Sequence, residues 1–110
     1  MTNEEKLQIV KIKLDIPLTD TSCDSELLVY LNFAKCEILN WMYINKRGGI
    51  PDDVTDVPTR YEMTQVEAVV VGFSKRGAEG EKIHNENGIN RTFKHTDMIE
   101  YIHANVFQLV

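Results

Sequence analysis

Apolar residues recur at helical spacing near the start of the chain: Leu7, Val10 and Leu14. Thr2 and Glu5, just before them, have the spacing of a capping box, in which each side chain binds a free backbone amide of the first turn. The pattern predicts a short helix over about residues 3–14. The helix should end before Pro17, because proline disfavours helical backbone at the preceding residue.

A longer amphipathic pattern follows the polar loop of residues 19–22. Its apolar positions alternate spacings of four and three and form one stripe: Leu27, Leu31, Ala34, Ile38 and Trp41, widened by Leu28, Leu39 and Met42. Such a stripe is typical of a helix with one buried face. The pattern predicts the longest helix of the chain, from Asp24 to about Asn45, ended by Gly48 and Gly49.

A third pattern begins after the connector of residues 48–57, at Pro58, which suits the first turn of a helix. We expect this helix to end at residues 75–77 and to bury a face made of these residues: Met63, Val66, Val70 and Phe73, with Val69 beside them. Three successive valines at 69–71 lower helix propensity, so a strand remains open as an alternative.

Asn87-Gly88 is a strong turn signal between apolar residues and predicts a β-hairpin over about residues 81–94. A lone hairpin is marginally stable in water, so it must pack against the helices or another chain. A short helix with Met98, Tyr101 and Ile102 should follow, and then an apolar tail over 106–110. The predicted fold is mainly α: a small helical bundle of three to four helices, one of them long, with an accessory β-hairpin in a single domain over 1–110.

The composition fits a folded soluble domain, since 43% of the 110 residues are hydrophobic and 26% are charged. We expect neither secretion nor membrane insertion, because the first residues are polar and no apolar run approaches the roughly 18 residues that span a bilayer. The two cysteines, Cys23 and Cys36, should be free thiols in the cytoplasm.

No group of residues has the spacing of a reactive site. The possible metal ligands lack the short spacings that would place two of them on one ion: His84, His95, His103, Cys23 and Cys36. No nucleophile motif is present, and the clustered carboxylates at 52–56 and 79–81 fit solvated loops. We therefore predict no catalytic, cofactor-binding or metal residues, and a protein that is not an enzyme.

The net charge of −5 opposes binding to nucleic acid, whose phosphates are themselves negative. Gly77 and Gly80 match the spacing of a backbone-clamping GxxG loop, but Glu79 between them would repel phosphate. A small helix-turn-helix DNA-binding regulator of a phage or prophage remains the alternative reading, although the possible recognition helices carry few basic residues. A small metabolic enzyme is a third, weaker one.

The order of elements resembles the phage head-tail connector family, also called head completion or adaptor proteins. The resemblance covers most of the chain and rests on three segments: residues 14–16 after the first helix; Ala34, Ile38, Leu39 and Trp41 in the second; and residues 76–80 leading into 88–93. The last is the most specific, since Arg76 precedes a Gly-Ala-Glu-Gly turn and a Gly-Ile-x-x-x-Phe segment. The apolar tail of 106–110 departs from the basic ending of many members.

The resemblance implies a structural subunit of a ring that binds beneath the portal and links the DNA-filled head to the tail. It implies self-association into a ring of about twelve copies, in which one patch contacts a different patch of the neighbour. The expected partners are the portal protein and a further connector or tail-completion protein, with no membrane and no cofactor. DNA would pass through without specific binding, and the protein would be found in the virion and, during assembly, in the host cytoplasm.

Subunit and portal contacts should come from the hairpin and the tail, because hairpin edges and apolar ends readily pair with other chains. The candidate interface residues are Arg76, Lys82, Ile83, Ile89, Arg91, Phe93, Phe107 and Leu109.

Overall fold

Helices form all the regular secondary structure in the described part of the chain. The computed structural model describes the backbone of residues 1–82 and 97–110, and the side chains of the same ranges except 75–82. The elements are α1 (Asn3–Lys13), α2 (Asp24–Met42), a 3-10 helix (Thr59–Tyr61), α3 (Glu62–Lys82) and α4 (97–105).

The bounds of α1 confirm the prediction, and so does its capping box. The Thr2 hydroxyl accepts from the amide of Glu5 at 3.1 Å, and the Glu5 carboxylate accepts from the amide of Thr2 at 2.8 Å. The helix ends at Lys13, and Asp15, just after the C-cap residue Leu14, has a left-handed φ of 60°. The next amide then returns to the carbonyl of Lys11 at 2.8 Å, the bonding pattern of a Schellman motif. Local sequence therefore fixes both ends of α1.

The long helix α2 is confirmed, although it ends at Met42, three residues before the predicted end. Most of the predicted stripe is buried: Leu27, Leu31, Ala34, Ile38, Leu39 and Met42. Trp41 is half-buried. Leu28 is 40% exposed, so the prediction that Leu28 belongs to the buried stripe was wrong. The chain turns away at Gly48 and Gly49, whose φ values of 87° and 76° favour glycine.

The third segment is a helix across its three valines, which excludes the strand alternative. Its predicted buried face was only partly correct, because Val66 and Val69 are fully buried while Met63 is 43% exposed. The buried face instead includes Gln65, whose amide donates to the α2 carbonyl of Leu31 at 2.8 Å. A glutamine can be buried when its amide is hydrogen-bonded, so the buried face of α3 differs from the one that hydrophobicity alone predicts.

The predicted hairpin over 81–94 is wrong. Helix α3 runs through its expected end at 75–77 and includes residues 81 and 82, and the described residues contain no strand. The remainder of the hairpin segment, 83–94, lies outside the described residues. Gly77 and Gly80 misled the prediction, since glycine in a helix costs about 1 kcal/mol but does not by itself end one.

Helix α4 closes the bundle and supplies the last part of the core. The predicted short helix is present, its Met98 and Ile102 are fully buried, and Val106 just after it is 4% exposed. These side chains join one cluster with the buried residues of the other helices. The C-terminal tail begins from this buried position.

Candidate interaction site at the C-terminal tail

The tail of residues 106–110 is bound to the end of α2. The indole N–H of Trp41 donates to the carbonyl of Val106 at 3.0 Å, and the amide of Leu109 donates to the carbonyl of Met42 at 2.8 Å. The last carbonyls of a helix have no partner within it, so an external donor satisfies them. The tail thus acts as a cap for α2.

Further hydrogen bonds hold the tail residue by residue. The amide of Phe107 donates to the hydroxyl of Tyr61 at 3.0 Å. Farther along, the ammonium of Lys46 donates to the carbonyl of Val110 at 2.6 Å. The tail is therefore fixed at its start, its middle and its end.

A ring stack supports the start of the tail. The rings of Trp41 and His103 are stacked with centroids 3.6 Å apart and an interplanar angle of 15°. Because Trp41 also binds Val106, this stack fixes the orientation of the indole that holds the tail.

Fixing the backbone leaves several apolar side chains in solvent. Phe107 is 81% exposed, Val110 is fully exposed, and Ile44, on the turn after α2, is 57% exposed. We call these three residues the tail patch. Exposed apolar side chains that cluster on a surface mark contact sites for other proteins.

The structure brings together two of the eight predicted interface residues, Phe107 and Leu109, and Leu109 is half-buried against the core. Arg76 and Lys82 belong to α3, but their side chains are outside the described residues. The same holds for the whole of Ile83, Ile89, Arg91 and Phe93. An interface role for these residues stays a prediction.

Sequence reasoning missed an apolar groove between α2 and α4. Its volume is about 180 Å³ and its lining consists of Val29, Tyr30, Phe33 and Met98. The ring of Tyr30, one of the lining residues, meets the ring of Phe73 edge to face, with centroids 5.8 Å apart. The apolar pair Val29 and Phe33, four residues apart and outside the main stripe of α2, was the available signal.

The described residues contain neither a cluster of metal ligands nor a membrane-spanning helix. Within residues 1–74 and 97–110, no three His, Cys, Asp or Glu side chains converge as metal ligands would. None of the described helices combines the length and hydrophobicity needed to cross a bilayer. The apolar surface features of the described residues include the tail patch and the groove.

Residues 4–105 match the family model of the Phage gp6-like head-tail connector protein, and the chain belongs to this family. The family is structural rather than catalytic and forms part of the phage particle. No curated protein and no solved structure matches the chain.

Proposed function

We propose that this protein is a subunit of a connector ring that binds beneath the phage portal and links the DNA-filled head to the tail. The family match over residues 4–105 is the observation that carries the proposal. The ring would contain about twelve copies related by rotation, each using one patch to contact a different patch of its neighbour. A further connector or tail-completion protein would bind its other side, and assembly would take place in the host cytoplasm.

The tail patch supports a role in assembly. Its backbone is held by Trp41, Tyr61 and Lys46, so its apolar side chains need little further ordering when a partner binds. Association is favoured when the binding surface is already fixed, because less conformational entropy is lost.

The charge of the chain supports passage of DNA without binding. Helix α4, the short helix before the tail, carries Asp97 and Glu100 and neither lysine nor arginine. With a net charge of −5, the protein lacks the electrostatic attraction that drives nucleic-acid binding.

Co-sedimentation with purified portal rings tests the proposal. We expect the protein to migrate with the portal, and electron microscopy to show added density on one face of the ring. The same sample should leave duplex DNA unshifted at low salt, whereas a regulator would shift it and release it steeply as salt rises. A protein that ignores portal rings and shifts DNA would contradict the connector role.

A further inference from the structure

We propose that a pocket between the start of α1, the middle of α2 and α3 binds the carboxamide end of an asparagine or glutamine side chain of a partner protein. The inference goes beyond the proposed function, and the pocket shares no residue with the tail patch. Its lining residues are Asn3, Leu28, Leu31, Asn32, Lys35 and Gln65.

Three helices form this pocket. Its four α2 residues are spaced by three and four positions, from Leu28 to Lys35, and so lie on one face of the helix. Leu31 and Gln65 are 2% and 1% exposed, whereas Asn3 and Asn32 are exposed. A group that enters from solvent therefore passes polar side chains at the rim and meets a buried amide at the floor.

Gln65 has a buried hydrogen-bond acceptor without a partner. Its amide nitrogen donates to the carbonyl of Leu31 at 2.8 Å. A carbonyl oxygen can only accept, so this bond fixes which end of the amide is nitrogen and which is oxygen. The oxygen, Oε1, is buried and accepts no hydrogen bond from any described residue. Buried polar atoms normally have a partner, so the floor of the pocket lacks a donor.

The other polar residues of the pocket have unused donors. Asn3, Asn32 and Lys35 make no side-chain hydrogen bond or ion pair with any described residue. An ammonium group only donates, and a side-chain amide both donates and accepts. A matching ligand must therefore donate to Gln65 and accept from Lys35 within one small group.

A primary carboxamide has this combination. Its NH₂ group donates to Oε1 of Gln65, and its carbonyl accepts from the Lys35 ammonium. A carboxylate has no hydrogen to donate and would place its oxygens against that of Gln65. A guanidinium accepts no hydrogen bond and would bring a second positive charge to Lys35. A hydroxyl offers a single donor, where the carboxamide offers two.

The size of the pocket favours the end of a side chain over a whole small molecule. Its volume of about 160 Å³ is close to the roughly 150 Å³ of an engineered cavity in another protein that binds benzene. A glutamine side chain has fewer heavy atoms than benzene and fits this space. Pockets for cofactors and drug-sized ligands are larger, about 300–1,000 Å³. The ligand is therefore a side chain presented by another protein.

An NMR titration with propionamide, which is the glutamine side chain without its backbone, tests the site. We expect saturable shifts of the side-chain amide signals of Gln65 and Asn32. Butanone has the same shape with a methyl group in place of NH₂, and propionate has an oxygen there. Each should bind about tenfold more weakly, because the buried oxygen of Gln65 stays unpaired.

Two variants test the rim of the pocket. Lys35→Met and Asn32→Ala each remove a polar group, and we expect each to weaken propionamide binding about fivefold. Asn40→Ala, at an exposed position of the same helix outside the pocket, is the control and should bind normally. Circular dichroism checks that the variants are folded. Gln65 is kept, because its amide also joins α3 to α2, and butanone tests its oxygen instead.

Several results would overturn the proposal. An absence of saturable shifts at the pocket residues would mean that it holds water only. Equal binding of butanone would remove the role of Gln65, and tighter binding of propionate would make this an anion site. Free glutamine should bind no more tightly than propionamide; tighter binding would assign the pocket to a free amino acid. Portal rings play no part in these titrations, so failure here and failure of the connector role are separate results.

Discussion

Met98 occupies the space that a side chain on Gly72 would need. A Cβ added to Gly72 would lie 2.4 Å from Cγ and 2.5 Å from Sδ of Met98, and both residues are buried. The absence of a side chain on α3 therefore allows α4 to pack closely against it. Since α4 leads directly into the tail, this contact also sets where the tail begins.

Gly72→Ala should destabilise the protein despite the better helix propensity of alanine. Alanine gains about 1 kcal/mol in a helix, but overpacking a filled core costs about 1–3 kcal/mol. We expect a net loss of about 1 kcal/mol in the free energy of unfolding, measured by urea denaturation.

A double-mutant cycle with Met98→Ala tests the cause of that loss. In the Met98→Ala background the space is empty, so Gly72→Ala should become neutral or stabilising. Ser74→Ala, at an exposed position of the same helix, is the control and should change stability by less than about 0.5 kcal/mol. An equal loss in both backgrounds would show that Met98 is not the obstacle.

Trp41→Phe should loosen the tail while keeping an aromatic ring beside His103. The variant loses the N–H that binds the carbonyl of Val106, a bond whose net contribution is about 0.5–1.5 kcal/mol. We expect faster hydrogen exchange at the Leu109 amide, which bonds to Met42. Asn40→Ala, at an exposed position of the same helix, should leave this exchange unchanged; equal protection of Leu109 in Trp41→Phe would contradict the expected coupling.

Two buried lysines of α1 should respond in opposite ways to replacement by methionine. Lys11 donates to the Asp24 carboxylate at 2.9 Å and to the carbonyl of Leu18 at 3.2 Å. Lys6 is fully buried, with its ammonium 3.6 Å from an Asp56 oxygen and no hydrogen bond to any described residue.

Removing the well-bonded cation in Lys11→Met should cost about 1–3 kcal/mol, because a carboxylate and a carbonyl lose their donor. Lys6→Met should be neutral or stabilising, since replacing a poorly compensated buried charge by an apolar side chain of similar shape removes a desolvation penalty. Thermal unfolding of the two variants makes the comparison directly. A larger loss for Lys6→Met than for Lys11→Met would reverse this ranking.

The ionisation of Tyr101 should make stability fall at high pH. Burial raises the pKa of Tyr101, and the nearby Glu67 carboxylate raises it further. Because the folded-state pKa lies above the unfolded one, the stabilisation is complete below the ordinary tyrosine pKa and is lost as pH rises through the raised value. Unfolding measured across this alkaline range should show the decline.

Glu67→Gln separates the two causes of that shift. Glu67 forms an ion pair with Lys13 at 2.7 Å, so its neutralisation removes a negative charge and leaves a positive one near Tyr101. We expect the pKa of Tyr101 to fall in an NMR titration, while Glu62→Gln on the same helix leaves it unchanged. A Tyr101 pKa that does not move in Glu67→Gln would leave burial as its only cause.

The candidate site was less predictable from sequence than the helices. The apolar tail was recognised as an interface candidate, and Phe107 is exposed as that role requires. The groove was missed because it joins Val29 and Phe33 to Met98, which are more than sixty residues apart in the chain. Residues so distant along the chain meet only through packing, which periodicity within one segment does not describe.

The sequence by itself determined the features that depend on neighbouring residues. The capping box of α1, the stripe of α2, and the turn at Gly48 follow from hydrogen bonds and side-chain spacing within a few residues. The family match likewise follows from the sequence alone.

Only the tertiary structure decided the features that depend on contacts between segments. Gln65 belongs to the buried face of α3, where its amide nitrogen donates to the α2 carbonyl of Leu31. The position of the tail was set by Trp41 and Tyr61, donor and acceptor groups far from it in the chain. Whether a buried polar group finds a partner depends on which groups the packing brings within reach. The Gln65 amide nitrogen has one, whereas the Lys6 ammonium has no hydrogen bond to any described residue.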